Sequence, residues 1–322
     1  MKEKRLFKFG ILALSIVLIA CTGGSSEAGC PEIDGREINV VATTPMIGEF
    51  VSQVGGDNIN LTVLMPAEAD PHTYDPAPQD AGAIADADLV FYTGLKYEPA
   101  ALVKLLENSA CSAEVLAEVG ENVFPIEFKE GGHDEEGHDE HAGHDHGAYD
   151  PHFWFDPNRV AYAAEYIESK LVEFDPSNAS EYEAAGKVYV TELKGLVGQV
   201  SELISTIPSQ NRKLITTHES LGYLEAKFGL EVLSTIIPSI DSANEISPSQ
   251  LIGVIDVIED NNVKVIFIES EAPSVYAETI VAETGIKAVE GLWVETLKEG
   301  QSYPEFLLDA VELIVENLRN TD

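Results

Sequence analysis

Basic residues are scarce: 19 Lys and Arg stand against 56 Asp and Glu, for a formal net charge of −37 over 322 residues. A surface of that sign repels nucleic-acid phosphates and anionic lipid, which excludes nucleic-acid partners and membrane attachment through a polybasic patch. It also draws cations over long range, although the same acidity would serve a protein that only had to stay soluble. Cysteine is nearly absent. Cys21, Cys30 and Cys111 are too few and too far apart for a cysteine-based zinc motif. A long hydrophobic run is missing as well, since the apolar stretch "FGILALSIVLIA" at 9–20 has 12 residues where a bilayer span takes about 20.

That short run has another use. Lys2, Lys4, Arg5 and Lys8 precede it, and basic-then-apolar order is that of an export signal over residues 1–20. It ends in "LIAC", which resembles a bacterial lipobox and makes Cys21 the expected lipid-modified first residue of the mature chain. Residues 21–35, rich in Gly and Ser, read as a flexible tether. Removing residues 1–20 takes away four basic residues and one acidic one, leaving 15 against 55 and a net of −40. Cys30 and Cys111 then meet an oxidising compartment and are free to pair. Their spacing along the chain does not decide whether they do.

From residue 37 strands and helices alternate. The strand-like runs are 37–43, 58–66, 86–94 and, more weakly, 122–126, with helical spacing at 45–56 and 98–110. After residue 208 the alternation resumes, with strands expected at 212–218, 230–237 and 263–270 and helices at 219–229, 247–262, 272–285 and 304–320. This is the pattern of parallel βα units. Between the halves, 177–206 keeps helical spacing throughout, with Tyr182, Val188, Leu193, Leu196, Val197, Val200, Leu203 and Ile204 as its apolar positions. The fold class expected is α/β: two lobes, each with a mainly parallel sheet flanked by helices, bridged by one long rigid helix. The lobes are expected at 36–175 and 208–322, with the linker at 176–207.

Histidine placement carries the most information. Five of eight, His133, His138, His141, His144 and His146, lie in one acidic tract. That tract holds no large apolar residue, so about 129–148 reads as a mobile loop, and its composition suits weak binding of borderline metals. The other three are isolated. His72 sits in "DPHTYDP" (70–76), His152 in "DPHFWFDP" (150–157), and His218 ends the strand "RKLITTH". In open α/β sheets, ligands bind beyond the carboxyl ends of strands, where His72 and His218 fall. Pro71 and Pro151 restrict the backbone beside their histidines. Asp70 and Asp150 are placed either to accept a ring N–H and set its tautomer or to cap a turn, and the residues alone do not choose.

With "DPHTYDP", "DPHFWFDP" and "THESLGYLEAKFGL" (217–230) in hand, the chain resembles the metal-binding solute-binding lipoproteins of bacterial zinc and manganese ABC transporters over essentially its whole mature length. The resemblance implies two α/β lobes, a bridging helix and a metal held in the cleft between them. It implies His72, His152 and His218 as ligands, and a fourth in "GLWVETL" (291–297). There the family usually has Asp, whereas this chain has Glu295. Three imidazoles and a carboxylate suit zinc, and manganese, the alternative cargo, prefers more oxygen. The implied partner is an ABC permease. The implied state is a monomer outside the cytoplasmic membrane, held to it only by lipid. A surface metal buffer or adhesin is a competing reading. A zinc hydrolase would need H-E-x-x-H, and His218-Glu219 is followed by Ser220, Leu221 and Gly222.

Overall fold

The structure, a computed structural model, describes residues 30, 33, 35–128, 149–239, 244–271 and 275–320. The export segment, Cys21 and all five tract histidines lie outside them. The first sheet takes β1 (Ile38–Ala42), β2 (Ile59–Val63), β3 (Leu89–Tyr92) and β4 (Leu116–Glu118), with α1 (Pro45–Gly55), α2 (Pro78–Ala85) and α3 (Ala100–Ser109) between them. All pairings are parallel, in the order β2-β1-β3-β4. Two helices follow, α4 (Pro157–Phe174) and α5 (Ala179–Ser205). The second sheet is β5 (Lys213–Thr216), β6 (Glu231–Thr235), β7 (Val265–Glu269) and β8 (Lys287–Leu292), with α6 (Gly222–Phe228), α7 (Pro248–Asn261) and α8 (Ala277–Thr284) as crossovers and α9 (Tyr303–Leu318) last. Its order, β6-β5-β7-β8, repeats that of the first, again all parallel.

Two expectations about strands need correction. The fourth strand of the first sheet is β4, not 122–126. Gly120–Val123 forms a 3₁₀ turn, and Phe124 then adopts a left-handed conformation with φ 54°. Pro125 has no N–H to give a ladder. β8 was not expected. Its Lys287 and Glu290 sit on an edge strand with only Val289 and Leu292 buried, so no period of two shows, and charge is tolerated there because one side of the strand lacks a partner.

The α5 helix runs about 40 Å at 1.5 Å per residue and packs on α1, α4 and α9. It buries Tyr182, Tyr189, Leu193, Leu196, Val200 and Ile204. Val188, counted with its apolar positions, is instead 69% exposed. Beneath it one apolar cluster is continuous across both lobes, from Phe50 through Phe153, Trp154 and Phe155 to Tyr303 and Phe306. Phe50 of α1 stands edge-on to Tyr303 of α9 at 5.3 Å. The sheets are therefore joined by shared core as well as by chain. Cys30 and Cys111 form a disulfide that ties the approach to β1 to the end of α3.

Candidate metal centre

The doubled Asp-Pro-His motif has a local physical cause. Asp70 Oδ1 accepts the backbone N–H of His72 at 3.0 Å, and Asp150 Oδ1 accepts that of His152 at 2.9 Å. Asp70 caps the short 3₁₀ turn Pro71–Thr73, whereas Asp150 closes the same two-residue loop onto His152, which itself leads into the 3₁₀ turn Phe153–Phe155. The proline between fixes φ and needs no N–H partner. The histidine is thus delivered at a set angle from a tight turn. Asp156, which closes the second motif, accepts the N–H of Asn158 at 3.0 Å and caps α4, with Pro157 at its first position.

His218 follows β5, and Glu295 follows β8. Together with His72 and His152 they converge, one donor atom from each lying within 4.8 Å of every other. Glu295 Oε1 is 2.6 Å from His218 Nε2, 3.2 Å from His152 Nε2 and 3.4 Å from His72 Nε2. Three side chains are fully buried, and that of His72 is 5% exposed. The His218 contact is close in distance but off hydrogen-bond geometry, which leaves its Nε2 without a hydrogen-bond partner. A buried nitrogen aimed into a cluster of donors is what a cation site requires.

The far side of two rings is held by carboxylates. His152 Nδ1 is 2.8 Å from Asp150 Oδ1, so Asp150 serves both the backbone and the ring. His218 Nδ1 bonds to Glu269 Oε2, and Glu269 Oε1 accepts from Ser220 Oγ at 3.1 Å. A proton kept on Nδ1 turns the Nε2 lone pair toward the centre and raises ring basicity. Gly222 packs beneath this arrangement, and a Cβ there would sit 2.5 Å from Asp150 Oδ2. Glu295 is positioned by two further groups. Tyr97 donates its hydroxyl to Glu295 Oε2 at 2.8 Å, and Glu271 Oε1 accepts the N–H groups of Val294, Glu295 and Thr296 at 2.9, 2.9 and 3.3 Å.

The charges are arranged accordingly. Burial works against protonation of His152, but Glu295 and Asp150 overcome it and raise its pKa to about 9. His218 is likewise driven well above the usual imidazole range, against burial, by Glu269 and Glu295. Burial also disfavours charge on Glu295, yet the three rings hold its carboxyl well below its ordinary value. Burial pushes Glu271 up to about 8, against the backbone donors that favour its charged form.

Sequence reasoning did not find Glu269, Glu271 or Tyr97. Glu269 had a signal, an acid closing the otherwise apolar strand "VIFIE" with every residue buried. Tyr97 had none. Replacing Glu269 with glutamine keeps the shape but removes the charge behind His218. It is expected to weaken metal binding roughly ten- to a hundredfold, read by competition against a chelator of known affinity.

Two parallel-sheet lobes with a buried nest of imidazole and carboxylate donors between them define a class, the two-lobed solute receptors that bind metal ions. The chain belongs to the family described as zinc-uptake complex component A, periplasmic (ZnuA), whose family model matches residues 40–317. It is 30% identical over 321 residues to the high-affinity zinc uptake system protein ZnuA of Bacillus subtilis, covering 96% of each chain. It is 28% identical over 324 residues to the manganese ABC transporter substrate-binding lipoprotein PsaA of Streptococcus anginosus, covering 98% of this chain and 99% of that one. The structure of the periplasmic zinc-binding protein TroA from Treponema pallidum has the same fold, with a TM-score of 0.73 at 23% identity over 88% of this chain and 99% of TroA. The protein is a metal-binding substrate-binding component of an ABC transporter, and not an enzyme.

Proposed function

We infer that this chain captures zinc in the interlobe cleft through His72, His152, His218 and Glu295 and passes it to an ABC permease for uptake. The observation that carries this reading is the convergence of three Nε2 atoms on one carboxylate oxygen, with the rings of His152 and His218 backed by carboxylates. Such a donor set matches tetrahedral zinc, whose nitrogen ligands lie at about 2.0–2.1 Å. With all four positions supplied by protein, the ion is held rather than given a reactive water. The chain is exported, anchored by lipid on Cys21 at the outer face of the cytoplasmic membrane, and acts as a monomer. Its acidic surface and the tract bearing His133, His138, His141, His144 and His146 raise the local cation concentration. The ion then replaces protons on the buried rings.

Calorimetric titration of the metal-stripped chain from residue 22 onward, with zinc and with manganese, tests the cargo. One tight zinc per chain, held more firmly than manganese, is expected, and the reverse order would overturn the assignment. Deleting 131–147 separates a carrier from a surface buffer. A carrier keeps its one tight site, while a buffer loses most of its capacity.

A further inference from the structure

The turn that carries His152 is fastened to the opposite lobe at both ends, at Asp150, whose carbonyl accepts the Tyr223 hydroxyl at 2.8 Å, and at Trp154. Trp154 is fully buried, and its indole Nε1–H donates to the carbonyl of Val294 at 2.7 Å. Val294 is the immediate neighbour of Glu295. The carbonyl of Trp154 in turn accepts the hydroxyl of Tyr303 at 2.6 Å, at the first turn of α9. The indole also stands edge-on to His152 at 5.5 Å and to Tyr97 at 5.2 Å. His152 and Glu295 lie 143 positions apart in sequence, yet the path His152–Phe153–Trp154···Val294–Glu295 joins them by one hydrogen bond.

That bond sits in the shared core, away from water. Parting it leaves an N–H and a C=O both buried and unpaired, which is costly compared with parting an exposed pair. An ion held by donors from both lobes leaves only when His152 and Glu295 move apart, and their separation follows the Trp154–Val294 contact. We propose that Trp154 is the positioning residue of the cleft, and that its hydrogen bond to Val294 sets how slowly the bound metal is released. The proposal rests on the reading of His152 and Glu295 as ligands of one ion. It assigns the residue between them a task that neither motif nor charge pointed to.

The test follows metal release from the loaded chain into excess chelator by stopped flow, with zinc and with manganese in separate runs. Trp154→Phe keeps a buried aromatic ring and removes the N–H. It is expected to release the ion roughly tenfold faster, the scale of one buried hydrogen bond, with the association rate nearly unchanged. Tyr303→Phe, which removes the second fastening and leaves the indole intact, is expected to act in the same direction. Leu171→Ala on α4, buried but remote from the seam, serves as a comparison. It is expected to lower the melting temperature while leaving release at the wild-type rate.

Wild-type release from Trp154→Phe would overturn the proposal, whatever Tyr303→Phe shows. So would equal acceleration by Leu171→Ala, because the effect would then be general loosening. If the wild type retains manganese and not zinc, the cargo assignment falls, while the role of Trp154 is read in the manganese run.

Discussion

Replacing His218 with alanine is expected to weaken zinc binding by roughly two to three orders of magnitude. Structural zinc sites bind with apparent free energies of about 10–16 kcal/mol, so one of four ligands accounts for about 3–4 kcal/mol, or some hundreds-fold in affinity. His218 belongs at the upper end for two reasons. Its Nε2 is the nitrogen closest to Glu295 Oε1, at 2.6 Å. Its loss also strands Glu269, a buried carboxylate that bonds to the ring on one side and the Ser220 hydroxyl on the other. Competition titration reads the change. A variant binding within tenfold of the wild type would remove His218 from the ligand set.

Lowering the pH from 8 to 5 is expected to weaken zinc binding by at least about three orders of magnitude, one per pH unit for each proton displaced. In the metal-free protein His152 holds its second proton up to about 9, and a zinc ligand must give up the proton on the binding nitrogen. At every pH below about 9 each ion therefore expels at least one proton. With His218 also raised, the slope steepens toward two. An isolated imidazole would start this decline only near pH ~6.5. Calorimetry in two buffers of different ionisation enthalpy counts the protons, and affinity that stayed level over this range would contradict binding through imidazole nitrogen.

The same shift acts on stability with a definite sign. The folded-state pKa of His152 lies above its unfolded value of about 6.5, so the folded chain binds the extra proton between the two. Its stabilising contribution is complete below pH ~6.5 and is lost as the pH rises through about 9. The melting temperature of the metal-free chain should thus decline between pH 7 and 9.5. In the zinc-loaded chain that proton is already gone, so the decline should be absent.

Much of this site was legible in short-range features. Asp-Pro-His marks a capped turn that presents an imidazole, because the aspartate reaches a backbone N–H only two residues on. Asp70 and Asp150 look alike in sequence but differ in the fold. Asp150 bonds the His152 ring as well as its backbone and precedes a turn capped by no side chain, whereas Asp70 caps the 3₁₀ turn that contains His72. The long apolar period of α5 was legible as well, since a helix repeats its buried face every few residues. What stayed hidden depends on distant partners. Glu269 acquires its role only when β7 lies beside β5, and Tyr97 only when the lobes close over Glu295. β8 carries too few buried positions to announce itself.

By itself, the order of residues determined the parallel βα units, the long helix between them, and the three isolated histidines as the groups to watch. These follow from periodicity and from contacts a few positions long. Only the tertiary structure decided that those rings share one carboxylate oxygen, which carboxylates stand behind them, and how the two lobes are fastened across the cleft. Apart from Asp150, two residues from its histidine, these depend on the relative placement of segments some 50 to 220 residues apart, which is set by burial of a common core and leaves little mark in any local stretch of chain.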